Sequence, residues 1–173
     1  FGRAAVKAPR RINRSGWTAG NDCSIPDGLY FDQRGLLWIQ TDDVAYRDTV
    51  NNQMLVAIPG EVGDGGMLTF TNDFGDEENT TFVGKDASAV NLRRFLVGPK
   101  GCEITGITMT PDARSLFINV QHPGEGGSAG NFNTDVSTWP NPNGNALALG
   151  NGASRPRSAT IVITREDNGE IAL

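Results

Sequence analysis

This sequence is poor in the side chains that most often carry chemistry. Among 173 residues there is one histidine, His122, and there are two cysteines, Cys23 and Cys102. Two cysteines leave the redox compartment open, since they could pair, bind metal or lie buried as thiols. No apolar run reaches the roughly 20 residues that a helical membrane span needs. No Walker A loop, Gly-x-Ser-x-Gly elbow or His-Glu-x-x-His zinc motif is present, so the commonest NTPase, serine-hydrolase and zinc-protease signatures are missing. Basic residues are outnumbered, 15 against 20 acids, for a net charge of −5, and a nucleic-acid surface is not expected. The chain begins Phe-Gly-Arg without the apolar segment of a signal peptide, and a start on Phe1 suggests a piece of something longer.

Glycine, by contrast, is abundant. It supplies 22 of 173 residues, against a usual share of about 7%, a composition suited to short strands and tight turns. The stretch from Lys100 to Glu125 reads as one β-hairpin. Ile104, Ile107 and Met109 form a first strand; Pro111-Asp112 with Ala113 and Arg114 form a turn; Leu116 to Val120 form a second strand. Polar groups crowd its ends: Cys102 and Glu103 before the first strand, His122 and Glu125 after the second.

The same pattern stands earlier, from Ile25 to Asp42. Gly28 answers to Gly106, Phe31 to Met109, Trp38 to Phe117 and Ile39 to Ile118, with one residue inserted in the later turn. Such a repeat suggests a repeated architecture. Gln53–Ile58 and Leu92–Val97 read as further strands of the first copy. Ala159–Thr164 and Glu170–Leu173, joined through Asn168-Gly169, read as a closing hairpin of the second. The expected fold class is therefore all-β: two blades of a β-propeller with about four antiparallel strands each. Residues 1–24, with five basic residues before the first acid at Asp22, form an irregular arm. The first blade spans 25–98 and carries an acidic insertion at 61–86, whose Met67–Thr71 and Thr80–Val83 could pair. Asp86 could instead cap a helix. The second blade spans 99–173 and carries a long Gly/Asn-rich loop at 123–158.

Asp27 and Glu103 sit at or just before the starts of the two inner strands, where residues of different blades converge on a channel. Two carboxylates from separate blades suit a hard cation, which takes oxygen ligands; they could also be a turn former and a surface acid. Cys102 could be a thiolate ligand for a softer metal or a small buried hydrophobe. His122 could bind metal, act as a base or donate to a phosphate, or could simply be hydrogen-bonded structure. Arg155 and Arg157 could grip a phosphate or close a loop onto an acid. No catalytic nucleophile is identifiable.

Several runs together resemble the C-terminal part of the PhoX-type alkaline phosphatases. They are Pro26-Asp-Gly-Leu with Leu-Trp-Ile-Gln-Thr-Asp42, Arg94-Phe-Leu with Gly98-Pro-Lys-Gly-Cys-Glu-Ile-Thr-Gly106, Asn119-Val-Gln-His-Pro-Gly-Glu125, Ser137-Thr-Trp-Pro140 and Arg155-Pro-Arg-Ser-Ala159. The resemblance runs from about residue 20 onward and covers only part of the family's length. It implies a six-bladed propeller, export to the periplasm or the outside, hydrolysis of phosphomonoesters, and calcium with iron in the channel. On it, Glu103 is the best candidate metal ligand and Asp27 the second, with His122 and Arg157 near the substrate phosphate. The acidic insertion departs from the family pattern. Other readings are a lactonase-like, calcium-dependent propeller hydrolase and a non-catalytic binding or structural module. Two blades cannot close a ring, and stacked repeats usually need about three for stability. The chain is therefore expected to need the rest of its parent propeller or to self-associate.

Overall fold

A computed structural model describes residues 23, 25–42, 50–71, 78–126, 137–140 and 156–172. Most of the basic arm and much of the Gly/Asn-rich loop, including Arg155, lie outside the described residues. The chain is all-β. Strands β1 (Pro26–Phe31), β2 (Leu37–Thr41), β3 (Gln53–Ala57) and β6 (Leu92–Val97) form a four-stranded antiparallel sheet in that order. Among the described residues strands β4 (Met67–Thr71) and β5 (Glu78–Phe82) pair only with each other, and β7 (Glu103–Met109), β8 (Ser115–Gln121) and β9 (Ala159–Thr164) form a three-stranded sheet.

The two hairpins that open the sheets are built alike. Each first strand slips register once, between Pro26 and Leu29 in β1 and between Thr105 and Ile107 in β7. A glycine sits at each slip. Gly106 takes a φ of +52°, and a Cβ there would lie 2.5 Å from Asn119 Nδ2. A Cβ on Gly28 would run into the Gln40 side chain. Both glycines are thus needed at a bulge where an amide side chain of the next strand crosses close to the backbone. The turns also use side-chain acceptors. Asp32 Oδ1 takes the N–H groups of Arg34 and Leu36 at 2.9 and 3.0 Å, and Asp112 Oδ1 takes that of Arg114 at 3.1 Å. Both turns hold a left-handed residue whose N–H closes the turn: Gly35 (φ +82°) onto the Asp32 carbonyl at 3.0 Å and Ala113 (φ +54°) onto the Thr110 carbonyl at 2.9 Å.

The core lies between the two sheets. Strand β7 packs against β1, β2 and β3. Trp38 and Met54 from the first sheet meet Ile104, Met109, Leu116, Ile118 and Val120 from the second, all nearly or fully buried. The Trp38 ring stands edge-on to Phe95, with centroids 4.9 Å apart. The opposite face of the first sheet buries Leu37, Ile39, Leu55, Ala57 and Leu92, while Leu29 and Phe31 of β1 stay exposed.

Three expectations need adjusting. Among the described residues the second sheet has three strands, not four. Residues 170–172 turn away from it: the Ile171 N–H donates to the Ala113 carbonyl at 2.9 Å, and the Ile171 side chain is buried in the core. Burying Ile171 over the open end of the core wins over extending a polar-flanked hairpin. The helix that Asp86 could cap does not form; residues 88–92 make one turn, closed by Leu92 N–H to the Ser88 carbonyl at 2.9 Å, and lead into β6. The acidic insertion does hold a hairpin, but its second strand is Glu78–Phe82, two residues earlier than the apolar pattern indicates.

Asp32 ties these parts together. Its side chain is buried and meets Arg34 Nη2 at 2.7 Å and Trp38 Nε1 at 3.2 Å. Arg34 in turn donates to the Ile171 carbonyl at 2.8 Å. Burial raises the Asp32 carboxyl, but hydrogen bonds from Arg34, Trp38 and Leu36 outweigh it and hold the group below its usual value. A carboxyl depressed in the folded state stabilises it above the unfolded value. That contribution is lost as pH falls through the folded value. Asp32→Asn is expected to cost about 2–4 kcal/mol and to flatten the loss of stability below about pH 4, as read by urea unfolding at several pH values.

Candidate functional site

The site lies at the end of the two sheets where β1 and β7 begin and β2 and β8 end. Its scaffold is a set of side-chain amides reaching from the first sheet to the second. Asn52 Nδ2 donates to the Cys102 carbonyl at 2.7 Å, and Asn52 Oδ1 accepts from Thr41 Oγ1 at 2.9 Å. The Asn52 carbonyl accepts the Gly98 N–H at 2.8 Å. Gln40 Nε2 donates to the Gly106 carbonyl at 3.0 Å. Glu103 lies between these two anchored carbonyls, so its backbone is held on both sides. Its register partner is Gln121, the last residue of β8.

His122 follows Gln121 with a φ of +34°, a left-handed conformation uncommon for a non-glycine residue. Its N–H donates to Ser158 Oγ at 2.9 Å. The ring reaches back: Nε2 lies 3.4 Å from Glu103 Oε2, and Nδ1 lies 3.4 Å from the Gly101 carbonyl and 4.0 Å from Glu125 Oε2. The Gly124 and Glu125 N–H groups donate to the Lys100 and Gly101 carbonyls at 2.8 and 3.1 Å. Arg157 N–H donates to the Trp139 carbonyl at 3.1 Å, and a Cβ on Gly124 would touch Pro156 and Ser137. Four separate sequence runs, around residues 98–103, 121–125, 137–140 and 156–158, therefore meet at one place.

The charges there are unbalanced. Burial, then the carboxylates of Asp42 and Asp27, push the Glu103 carboxyl above its usual value, with His122 pulling partly the other way. Burial alone would lower the imidazole of His122, but the Gly101 carbonyl, Glu125 and Glu103 outweigh it and raise the group. Of the residues singled out from sequence, Glu103, Asp27 and His122 come to this end together. Arg157 lies on the segment whose next residue, Ser158, holds His122, and its side chain is exposed. Glu125, already marked beside His122 at the hairpin's end, joins the cluster, and Asp42 joins it unforeseen. The hairpin register already implied Asp42, because Pro26 pairs with Thr41; Ser158 lies in the Arg155–Ala159 run, but its sequence context assigns it no role.

Cys102 points the other way. It is 2% exposed in the core, a Cβ on Gly98 would strike its sulfur, and burial pushes its thiol up to about 12. It packs as a small buried hydrophobe among Ile104 and Val120. Oxygen donors fit a hard cation, yet among the described residues no three His, Cys, Asp or Glu groups stand close enough to hold one by themselves.

An antiparallel all-β scaffold with strand-end carboxylates and a histidine defines the class: a β-sheet protein with a polar, partly buried, anionic site. Residues 3–124 match the family described as alkaline phosphatase PhoX, and the chain belongs to that family. The match begins inside the basic arm, earlier than the motifs indicate, and ends at Gly124, so the Ser137–Pro140 and Arg155–Ala159 runs lie beyond it. A solved structure of Pseudomonas fluorescens PhoX in complex with vanadate, a transition state analogue, is similar at 36% identity with a TM-score of 0.51. The likeness covers 84% of this chain and 18% of that one. No curated protein matches.

Both cysteines are buried thiols. Under native conditions at pH 8 the chain is expected to react with less than about a tenth of an equivalent of a thiol-disulfide reagent, rising to about two equivalents in guanidinium. Rapid native labelling of Cys102 would overturn its placement.

Proposed function

We propose that this chain is a piece of an exported, metal-dependent phosphatase that hydrolyses phosphomonoesters, and that it is inactive by itself. The observation that carries this reading is Glu103, held between two anchored carbonyls and destabilised as an anion by burial, Asp42 and Asp27, in a chain of the PhoX family. A hard cation between such carboxylates would relieve their mutual repulsion. Glu103 and Asp27 are the proposed ligands, for calcium with iron, and the remaining ligands come from other parts of a longer polypeptide. On the same reading residues 25–98 and 99–173 are two neighbouring blades of a propeller, and the protein acts in the periplasm or outside the cell.

Bound cations would offset charge on the phosphoryl oxygens and activate an oxygen nucleophile. The residues of this chain do the positioning. His122 holds the Glu103 carboxylate from one side, with its own backbone fixed by Ser158. A protonated His122 also adds positive charge beside the site. Arg157 offers an exposed guanidinium suited to bidentate contact with phosphate oxygens.

The deciding experiment compares the full-length parent with its Glu103→Ala variant. Calcium and iron are measured by elemental analysis after dialysis, and hydrolysis of an aryl phosphate is followed with and without calcium. Metal content is expected to fall with the substitution, and activity to fall at least about tenfold. Unchanged metal and activity would remove Glu103 from the site; no turnover of the wild-type parent under any metal condition would sink the phosphatase reading itself.

A further inference from the structure

One side chain joins the two residues that stand next to the acids of the site. Thr41 ends β2 and precedes Asp42, and Cys102 precedes Glu103 at the start of β7. Between them lies Asn52, one residue before β3. All three are buried. The direction of their hydrogen bonds is fixed by chemistry. The Cys102 carbonyl can only accept, so the amide nitrogen of Asn52 must face it, at 2.7 Å. Asn52 Oδ1 then faces Thr41 Oγ1 at 2.9 Å, and the Thr41 hydroxyl must be the donor. That hydroxyl oxygen accepts the Gln53 N–H at 3.0 Å. A broken link would leave an unpaired polar atom in the core.

The main chain on either side is held as well. The Asn52 carbonyl accepts the Gly98 N–H at 2.8 Å, and Asn51 Nδ2 donates to the Gly98 carbonyl at 2.9 Å. The Asp42 N–H donates to the Ile25 carbonyl at 3.2 Å, which ties Asp42 to the entrance of β1. Of the two carboxylates that bear on Glu103, Asp42 acts more strongly than Asp27. Like charges so placed repel each other, and a main chain free to give would let them drift apart. The link through Asn52 opposes that drift, because it fastens the residue before one acid to the residue before the other. The Thr41–Asn52–Cys102 link is made inside this chain, between buried groups.

We propose that Asn52, acting through Thr41 and Cys102, is a positioning residue that holds the Asp42 and Glu103 carboxylates at the spacing a calcium ion requires. The proposal deepens the metal-dependent reading above and rests on it. Calcium binding to the metal-depleted full-length parent, followed by titration calorimetry, tests it. Asn52→Ala and Thr41→Val are each expected to weaken calcium binding at least about tenfold, the scale on which residues that support metal ligands act. Thr41→Ser keeps the hydroxyl and is expected to bind nearly as wild type does. Asp42→Asn removes one of the two charges being spaced; in that background Asn52→Ala is expected to change binding by less than about twofold, because the two substitutions act on one interaction. Asp32→Asn, which destabilises the same hairpin at its far end, is the control: stability falls and calcium affinity does not. Thermal melting reads the folding of each variant, and Thr41→Val carries the cycle where Asn52→Ala fails to fold. Three results overturn the proposal: Asn52→Ala and Thr41→Val bind calcium like wild type, the loss is the same with Asp42 present or replaced, or Asp32→Asn weakens calcium as much as they do. A wild-type parent that binds no calcium removes the metal reading itself, and the proposal with it.

Discussion

Two buried amide side chains decide where the chemistry of this chain can sit. Asn52 and Gln40 belong to the first sheet, and each donates to a main-chain carbonyl of the second, at Cys102 and Gly106. Core packing alone is weakly directional: Trp38 against Ile104 and Leu116 would tolerate a small slide of one sheet on the other. A buried amide does not, because a donor left without its acceptor costs about 1–3 kcal/mol. The two bonds lie on either side of Glu103. They also explain the glycines nearby, since Gly28 must leave room for the Gln40 side chain and Gly106 must bulge to present its carbonyl.

With the backbone held in this way, repulsion is built into the site. Glu103 begins β7 and Asp27 begins β1, and Asp42 is carried alongside by the hairpin register. His122 answers part of that charge from a strained backbone position. Its N–H is satisfied by Ser158, 36 residues away in sequence. The site is therefore joined to the 156–158 segment that leads into β9. Cys102, adjacent in sequence to Glu103, faces the opposite way because successive residues at a strand entrance alternate between faces.

Much of the fold was legible. Leu92–Val97 and Ala159–Thr164 could be read from β-branched and apolar runs between turn residues, and the repeat between Ile25–Asp42 and Cys102–Gln121 marks two hairpins that share a bulge glycine and an amide opposite it. Less legible was what happens at residues 170–172. Their Ile-Ala-Leu end looks like a strand, but a strand needs a neighbour's hydrogen bonds, whereas Ile171 could gain burial and still satisfy its N–H at Ala113. In the candidate site, Glu103, Asp27 and His122 could be named from their places at strand ends. The participation of Asp42 needed the register of the hairpin, and that of Ser158 needed the path of a loop.

The sequence by itself determined that this is a glycine-rich, all-β chain with two related hairpins, and its motifs placed it in the PhoX family. Periodicity, turn chemistry and motif spacing are local properties, and they survive being read along a line. The tertiary structure alone decided which polar groups meet: that Glu103 is flanked by Asp27 and Asp42, that His122 turns back onto it, and that Cys102 is withdrawn into the core. Each of these depends on how two sheets stack and where a loop returns. Those are set by burial and by buried hydrogen bonds between residues tens of positions apart, which no local pattern encodes.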